Sequence, residues 1–149
     1  MEYLRNKKAD LNFTIEDTIE TGVELLGTEV KSVKAAHGSL TGSHVTLLNG
    51  ELVLLGAHIP AWQEKNAGAG YDPYRTRKLL VHKKELLEFH KILKTKGLTI
   101  VPISLHNKGS LIKLTIAIAK GKKTVDKRNT LKEKADKRDI DREIKAVRS

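Results

Sequence analysis

Asp72-Pro73-Tyr74-Arg75-Thr76-Arg77-Lys78 sets three cations and an aromatic ring within five residues. Guanidinium forks donate paired hydrogen bonds to phosphate, and aromatic faces stack on unpaired bases. Tyr71 stands just before this run, and Trp62 precedes it across a segment holding Gly68 and Gly70. The pattern predicts a surface that touches phosphates and bases. The plainer alternative is a solvated basic turn leading into a strand, with Tyr74 packed on a rim. A second cationic cluster, Lys120-Gly121-Lys122-Lys123, is followed by Asp126-Lys127-Arg128. From Lys120 to Ser149 twelve basic residues stand against six acidic ones, so this fifth of the chain holds +6 of a total of +10. A field of that sign and density suits a polyanion.

Val125, Leu131, Ile140, Ile144 and Val147 are the only sizeable apolar residues in that stretch. They are too few to offset the conformational entropy of ordering thirty residues. The sequence therefore divides into a body, 1–119, and a basic C-terminal tail, 120–149, disordered or helical only on binding. At about 100° per residue, Lys137, Arg138, Arg142, Lys145 and Arg148 fall in one arc. Asp136, Asp139 and Glu143 lie on the other side, with Ile140, Ile144 and Val147 clustered beside them. Pairs such as Glu133 with Lys137 add only ~0.2 to 0.5 kcal/mol each, so the helix needs an anionic groove to hold it. A solubilising, unstructured tail is the simpler alternative.

Reaction chemistry finds little support. The chain has no cysteine and six histidines at no ligand spacing, so neither a thiolate zinc site nor a disulfide frame is expected. No cofactor motif, phosphate loop, His-Glu-x-x-His or Gly-x-Ser-x-Gly elbow occurs. The chain is expected not to be an enzyme. Met1 to Asp10 is polar, and no window approaches the ~20 apolar residues of a membrane span. A cytoplasmic location without membrane contact is the expectation.

The elements that must position these residues follow from periodicity. Leu11, Phe13 and Ile15 alternate with polar residues as in a half-buried strand, and an apolar run follows at Gly22 to Leu26. Thr28 is the predicted cap of a short helix that holds Glu29, turns Val30 and Val33 inward and stops at Gly38. Asn49-Gly50 suits a type I′ turn between Val45–Leu48 and Glu51–His58. Ala61 to Tyr71 reads as a long surface loop. Leu86, Leu87, His90 and Leu93 predict the inward face of a helix over His82–Lys94. Leu98–His106 and Leu111–Ala119 predict a second hairpin around Asn107 to Ser110, with Pro102 at an edge or bulge. The fold class expected is mainly β with short helices: a small antiparallel Greek-key barrel resembling an oligonucleotide-binding fold.

Four strings carry a resemblance to a known family: Gly27-Thr28-Glu29-Val30-Lys31-Ser32, Asp72-Pro73 with Arg75-Thr76-Arg77-Lys78-Leu79-Leu80, Lys96-Gly97-Leu98-Thr99-Ile100-Val101-Pro102, and Gly121-Lys122-Lys123 with Asp126-Lys127-Arg128. In that order and spacing, from about Asn6-Lys7-Lys8-Ala9 onward, the chain resembles the small protein B, or SsrA-binding, proteins of bacteria. The resemblance implies that the barrel binds the tRNA-like part of transfer-messenger RNA. It implies delivery of that RNA, charged and bound to elongation factor Tu, to stalled 70S ribosomes for trans-translation. A monomer is expected in that complex. Glu29, Lys31, Arg75, Arg77, Lys78, Lys120, Lys122 and Lys123 are the implied RNA contacts. A carboxylate such as Glu29 accepts from donor edges of unpaired bases, although it also complements a helix N-terminus.

The resemblance further implies that the tail becomes helical in the vacant messenger channel. Asp126, Lys127, Arg128, Lys137, Arg138, Ile140, Arg142 and Ile144 would carry that sensing role. Two positions depart from the family's pattern: Tyr71, where histidine is usual, and Asn129, where an acid is common. A ribosomal or ribosome-associated rRNA-binding protein is the nearest rival, and an RNA-processing enzyme using a histidine and an acid is the rival of another class.

Overall fold

A computed structural model describes residues 1–63 and 70–121 of the 149-residue chain. In chain order its elements are β1 (Glu2–Arg5), α1 (Ala9–Asn12), β2 (Phe13–Val23), α2 (Gly27–Lys34), β3 (His44–Leu48), β4 (Glu51–Leu55), β5 (Arg77–Leu80), α3 (Lys83–Lys94), β6 (Leu98–Lys108) and β7 (Leu111–Gly121). Every strand pairing is antiparallel. The ladder runs β6-β3-β4-β5-β2-β7 and closes because β7 also pairs with β6, while β1 adds to β6 beside β3. Closure gives the backbone groups of these strands partners on both sides and leaves β1 as the edge. The expected antiparallel barrel with short helices is present.

Two apolar layers hold it together. Leu52, Leu54, Leu79, Ile100, Leu105, Leu114 and Ile116 meet inside the barrel with Val33 of α2 and Phe89 of α3. On the outer face of β6 and β7, Val101, Ile103, Ala117 and Ala119 are covered by Ala9 of α1, with Phe13 and Ile15 alongside. Both layers follow from period-two alternation on strands whose two faces are each buried. The turn between β3 and β4 is the two-residue one expected, with Asn49 at φ 51° and Gly50 at φ 78°. The β6–β7 turn is equally tight, since Lys108 pairs with Leu111.

Pro102 sits at a bulge: the β6–β7 register shifts between Pro102 and Ser104. The freed carbonyls are taken by Asn6, whose Nδ2 donates to Pro102 O at 2.9 Å and whose backbone N–H donates to Ile103 O at 2.7 Å. Gly38 is required for close approach, because at φ +133° an added Cβ would lie 2.6 Å from His58 O. Its role is therefore to admit the Ser39–His58 bridge, whereas α2 has already ended at Lys34.

Several expectations need correction. Leu11 lies in the single-turn α1, and the strand begins at Phe13. That strand continues through Gly22 and Val23, because β7 pairs with it as far as Gly22 and β5 pairs with Gly22 and Val23. The N-cap of α2 is Leu26, not Thr28, and a side chain three residues on supplies the cap. Val33 is buried while Val30 is half-buried. β4 ends at Leu55, three residues before His58. β7 extends to Gly121, so Lys120 is a strand residue opposite Thr14 and Leu98. Most instructive is α3: Leu87 is 68% exposed and Phe89 only 1%. The inward face is Leu86, Phe89, Ile92 and Leu93, a set with the same helical period but a different phase. Phe89→Ala should cost ~3–5 kcal/mol in urea unfolding, and Leu87→Ala less than about 1 kcal/mol; comparable losses would restore the other face.

Candidate nucleic-acid interface

At one end of the barrel, α2, the start of β5 and the two connecting loops converge on a single carboxylate. Glu29, wholly buried, stands in the first turn of α2, where its Oε1 accepts the Leu26 N–H at 2.8 Å. Arg75 forks onto it: Nε donates to Oε2 at 3.0 Å and Nη2 donates to Oε1. Arg77 forks onto the same Oε2, with Nε at 2.9 Å and Nη2 as second donor. The remaining Arg77 hydrogens go to Ala57 O at 3.0 Å, Arg75 O at 3.1 Å and Pro73 O at 3.0 Å. Tyr71 Oη lies 2.6 Å from Ile59 O and 2.9 Å from Glu29 Oε2. Its one proton serves either acceptor.

Burial opposes ionisation of Glu29, yet hydrogen bonds from Arg75, the Leu26 N–H and Arg77 overcome it, leaving its pKa lowered to about 2. Burial, and then the hydrogen bond to Glu29 and its charge, push the Tyr71 phenol up. One carboxylate against two guanidinium groups leaves the cluster at +1. Arg75, with 29% of its side chain exposed, carries that charge to the surface.

Around this node the loops present rings. Trp62, tied to α2 by its N–H to Thr28 O at 3.1 Å, stacks with His37 at 5.7 Å between centroids. Tyr74, 57% exposed, tilts against His58 at 4.9 Å. Ser32 Oγ donates to Pro60 O at 2.6 Å, pinning the same loop. Lys31, exposed on α2, lies on the same element as the node. Half-exposed rings beside fixed cations make a surface suited to unpaired bases and their phosphates.

The residues expected to contact RNA therefore divide. Glu29 and Arg77 have no exposed surface, and their polar groups are bonded to each other, to Arg75 and to the surrounding backbone. Tyr71 turns its hydroxyl inward and closes the node. Lys78 follows Arg77 on β5 and so points to the opposite face, where it pairs with Glu51 at 3.2 Å. Lys120 lies elsewhere on the barrel, 3.3 Å from Glu16. Lys122, Lys123, Asp126, Lys127, Arg128, Lys137, Arg138, Ile140, Arg142 and Ile144 lie outside the described residues.

Sequence reasoning missed a second polar notch, a cavity of about 310 Å³ lined by Glu20, Gly22, Leu80, Val81, His82, Glu85 and Lys113. Glu20 accepts from His106 Nε2 at 3.0 Å and Lys108 Nζ at 3.2 Å. These bonds, that from His106 first, lower its pKa. Only cross-strand register brings Glu20, His106 and Lys113 together, and register is invisible to spacing along one strand. Among the described residues no cluster of His, Cys, Asp or Glu could hold a metal ion, and no helix is long and apolar enough to cross a membrane.

Because the folded pKa of Glu29 lies below its ordinary 4.5, the node's stabilisation is complete above pH 4.5 and is lost as pH falls toward 2. The shift corresponds to about 3 kcal/mol. Glu29→Gln should destabilise the fold by ~3–5 kcal/mol at pH 7, since two guanidinium groups lose their counter-charge. The gap from the unchanged chain should narrow below pH 4.5. A gap in urea unfolding that is small, or constant with pH, would contradict the node's ionisation.

Residues 3–146 match the family model described as SmpB protein. The SsrA-binding protein of Prochlorococcus marinus (strain AS9601) is 44% identical over 140 residues, covering 94% of this chain and 85% of the relative. That of Clostridium kluyveri (strain ATCC 8527) is also 44% identical, covering 94% and 88%. A solved chain described under "tmRNA-SmpB: a journey to the center of the bacterial ribosome" aligns with a TM-score of 0.67 and 38% identity, over 83% of this chain and 87% of that one. The match spans both the node and the tail, and the chain belongs to the SmpB family of SsrA-binding proteins.

Proposed function

We propose that this protein binds the tRNA-like domain of transfer-messenger RNA and brings it to stalled ribosomes for trans-translation. Membership of the SsrA-binding family supports this reading, as does the likeness to a chain described with tmRNA and the ribosome. The observation that carries it is the saturated Glu29–Arg75–Arg77 node, which ties α2 to the loops that bear Trp62 and Tyr74 and leaves the outer edge of Arg75 at the surface. It acts by binding and placement, without bond chemistry of its own, as a cytoplasmic monomer. Elongation factor Tu joins through the charged RNA.

Within this reading Lys120 belongs to the rigid grip, since β7 holds it, and Lys122 and Lys123 continue that grip. Lys78 serves a separate patch. Residues from Asp126 onward carry the sensing of an empty messenger channel, with Lys127, Arg128, Lys137, Arg138 and Arg142 toward phosphates and Ile140 and Ile144 beside them.

Trp62→Ala and Tyr74→Ala should each lower affinity for the tRNA-like domain by ~1–3 kcal/mol. Lys31→Ala should reduce the slope of log affinity against log salt by about 0.7 to 0.9. Unfolding midpoints near those of the unchanged chain would show that binding, not folding, was altered; unchanged affinities would refute this face. Stopping the chain after Arg128 should preserve much of the RNA affinity and abolish release of stalled ribosomes in a reconstituted assay. Full release would refute the sensing role.

A further inference from the structure

An apolar groove of about 510 Å³ lies between α3 and the β3–β4 hairpin, lined by Leu47, Gly50, Lys83, Leu86, Leu87 and His90. None of these lining residues is among those assigned to RNA or ribosome contact above. Leu87 of this lining is 68% exposed, so apolar surface meets solvent here. At helical spacing Lys83, Lys91 and Lys94 fall on the flank of α3 beside Leu87, and all three are exposed. The groove is thus apolar along its floor and cationic along one wall. It calls for an amphipathic segment whose apolar stripe has an acidic border.

The chain contains such a segment. Ile140, Ile144 and Val147 recur at i, i+4 and i+7, and Asp136, Asp139 and Glu143 border that stripe on one side. We propose that this groove holds the chain's own segment 136–147 when no RNA engages it. The acids then face the lysine wall of α3. The basic arc of Lys137, Arg138, Arg142, Lys145 and Arg148 cannot take that side without placing like charges together, so one orientation is selected.

Reach is no obstacle. Eighteen residues lie between Gly121 and Ile140, a tether of up to ~60 Å when extended, against a body whose radius of gyration is on the order of 14 Å. A tether of that length also keeps the local concentration of the segment near millimolar, enough to populate a weak contact. Docked in this way the apolar residues leave water while the cations remain exposed. A polyanion can then draw the segment off by its basic arc. Docking itself is independent of the RNA reading, whereas release by RNA rests on it.

The absence of cysteine allows a single nitroxide at Ala146→Cys, away from the apolar stripe, in the full chain. At low salt the methyl signals of Leu47, Leu86 and Leu87 should be broadened several-fold more than those of Ala117 and Ala119 on the far layer. Ile144→Asp, or separately Leu87→Asp, should remove the excess, and added polyuridylate should reverse it. Uniform broadening, or an excess that survives Ile144→Asp, would overturn the proposal. Excess broadening in a mixture of spin-labelled and isotope-labelled molecules would assign the groove to a second copy and overturn it equally.

Discussion

The end of the barrel that carries the rings depends on one buried carboxylate meeting two guanidinium groups. Glu29 is wholly enclosed, and an isolated charge there would be costly to remove from water. The cost is offset because Arg75 and Arg77 bring forks, the Leu26 N–H brings a helix-start donor, and Tyr71 adds a hydroxyl. Arg77 spends its other hydrogens on three backbone carbonyls from two loops. The result is mechanical as much as electrostatic: α2, the 56–63 loop and the 70–76 loop cannot shift separately without leaving a buried charge unpaired. Such a site contributes more to uniqueness of geometry than to net stability, and a binding surface made of loops needs that uniqueness.

How far this was legible in the sequence depended on whether a feature was local. Strand alternation in β7, the Asn49-Gly50 turn and the bulge at Pro102 are written in neighbouring residues, and the structure has them. For α3 the period was readable but the phase was not. Both Leu87 and Phe89 are apolar, and the barrel interior chose Phe89. The node lay beyond reach for another reason. Glu29 and Arg75 are 46 residues apart, so no spacing rule joins them. Their residue types suggested RNA contact, while tertiary placement turned Glu29 and Arg77 toward each other. An acid in a basic motif is better understood as the partner of the surplus arginines.

Similar logic separates the surfaces. The ring-bearing end, the Glu20 notch and the α3 groove are lined by different residues, and Lys78 and Lys120, expected to act with Arg75, line neither the notch nor the groove. Lys78 and Lys120 each have an acidic neighbour in the ladder beside them, Glu51 and Glu16. Their charge is therefore partly balanced, and the strongest unbalanced field belongs to the residues after Gly121. A rigid body that fixes geometry and a basic extension that supplies charge are complementary means of holding a folded RNA.

The most direct test of the account compares affinities of the full chain for three RNAs at one physiological salt concentration: the tRNA-like domain of transfer-messenger RNA, an elongator tRNA and an rRNA fragment. A face built on the Glu29 node for one folded RNA predicts clearly tighter binding of the tRNA-like domain than of the other two. Equal affinities, or tighter binding of the rRNA fragment, would contradict it and favour a protein that only anchors to the ribosome.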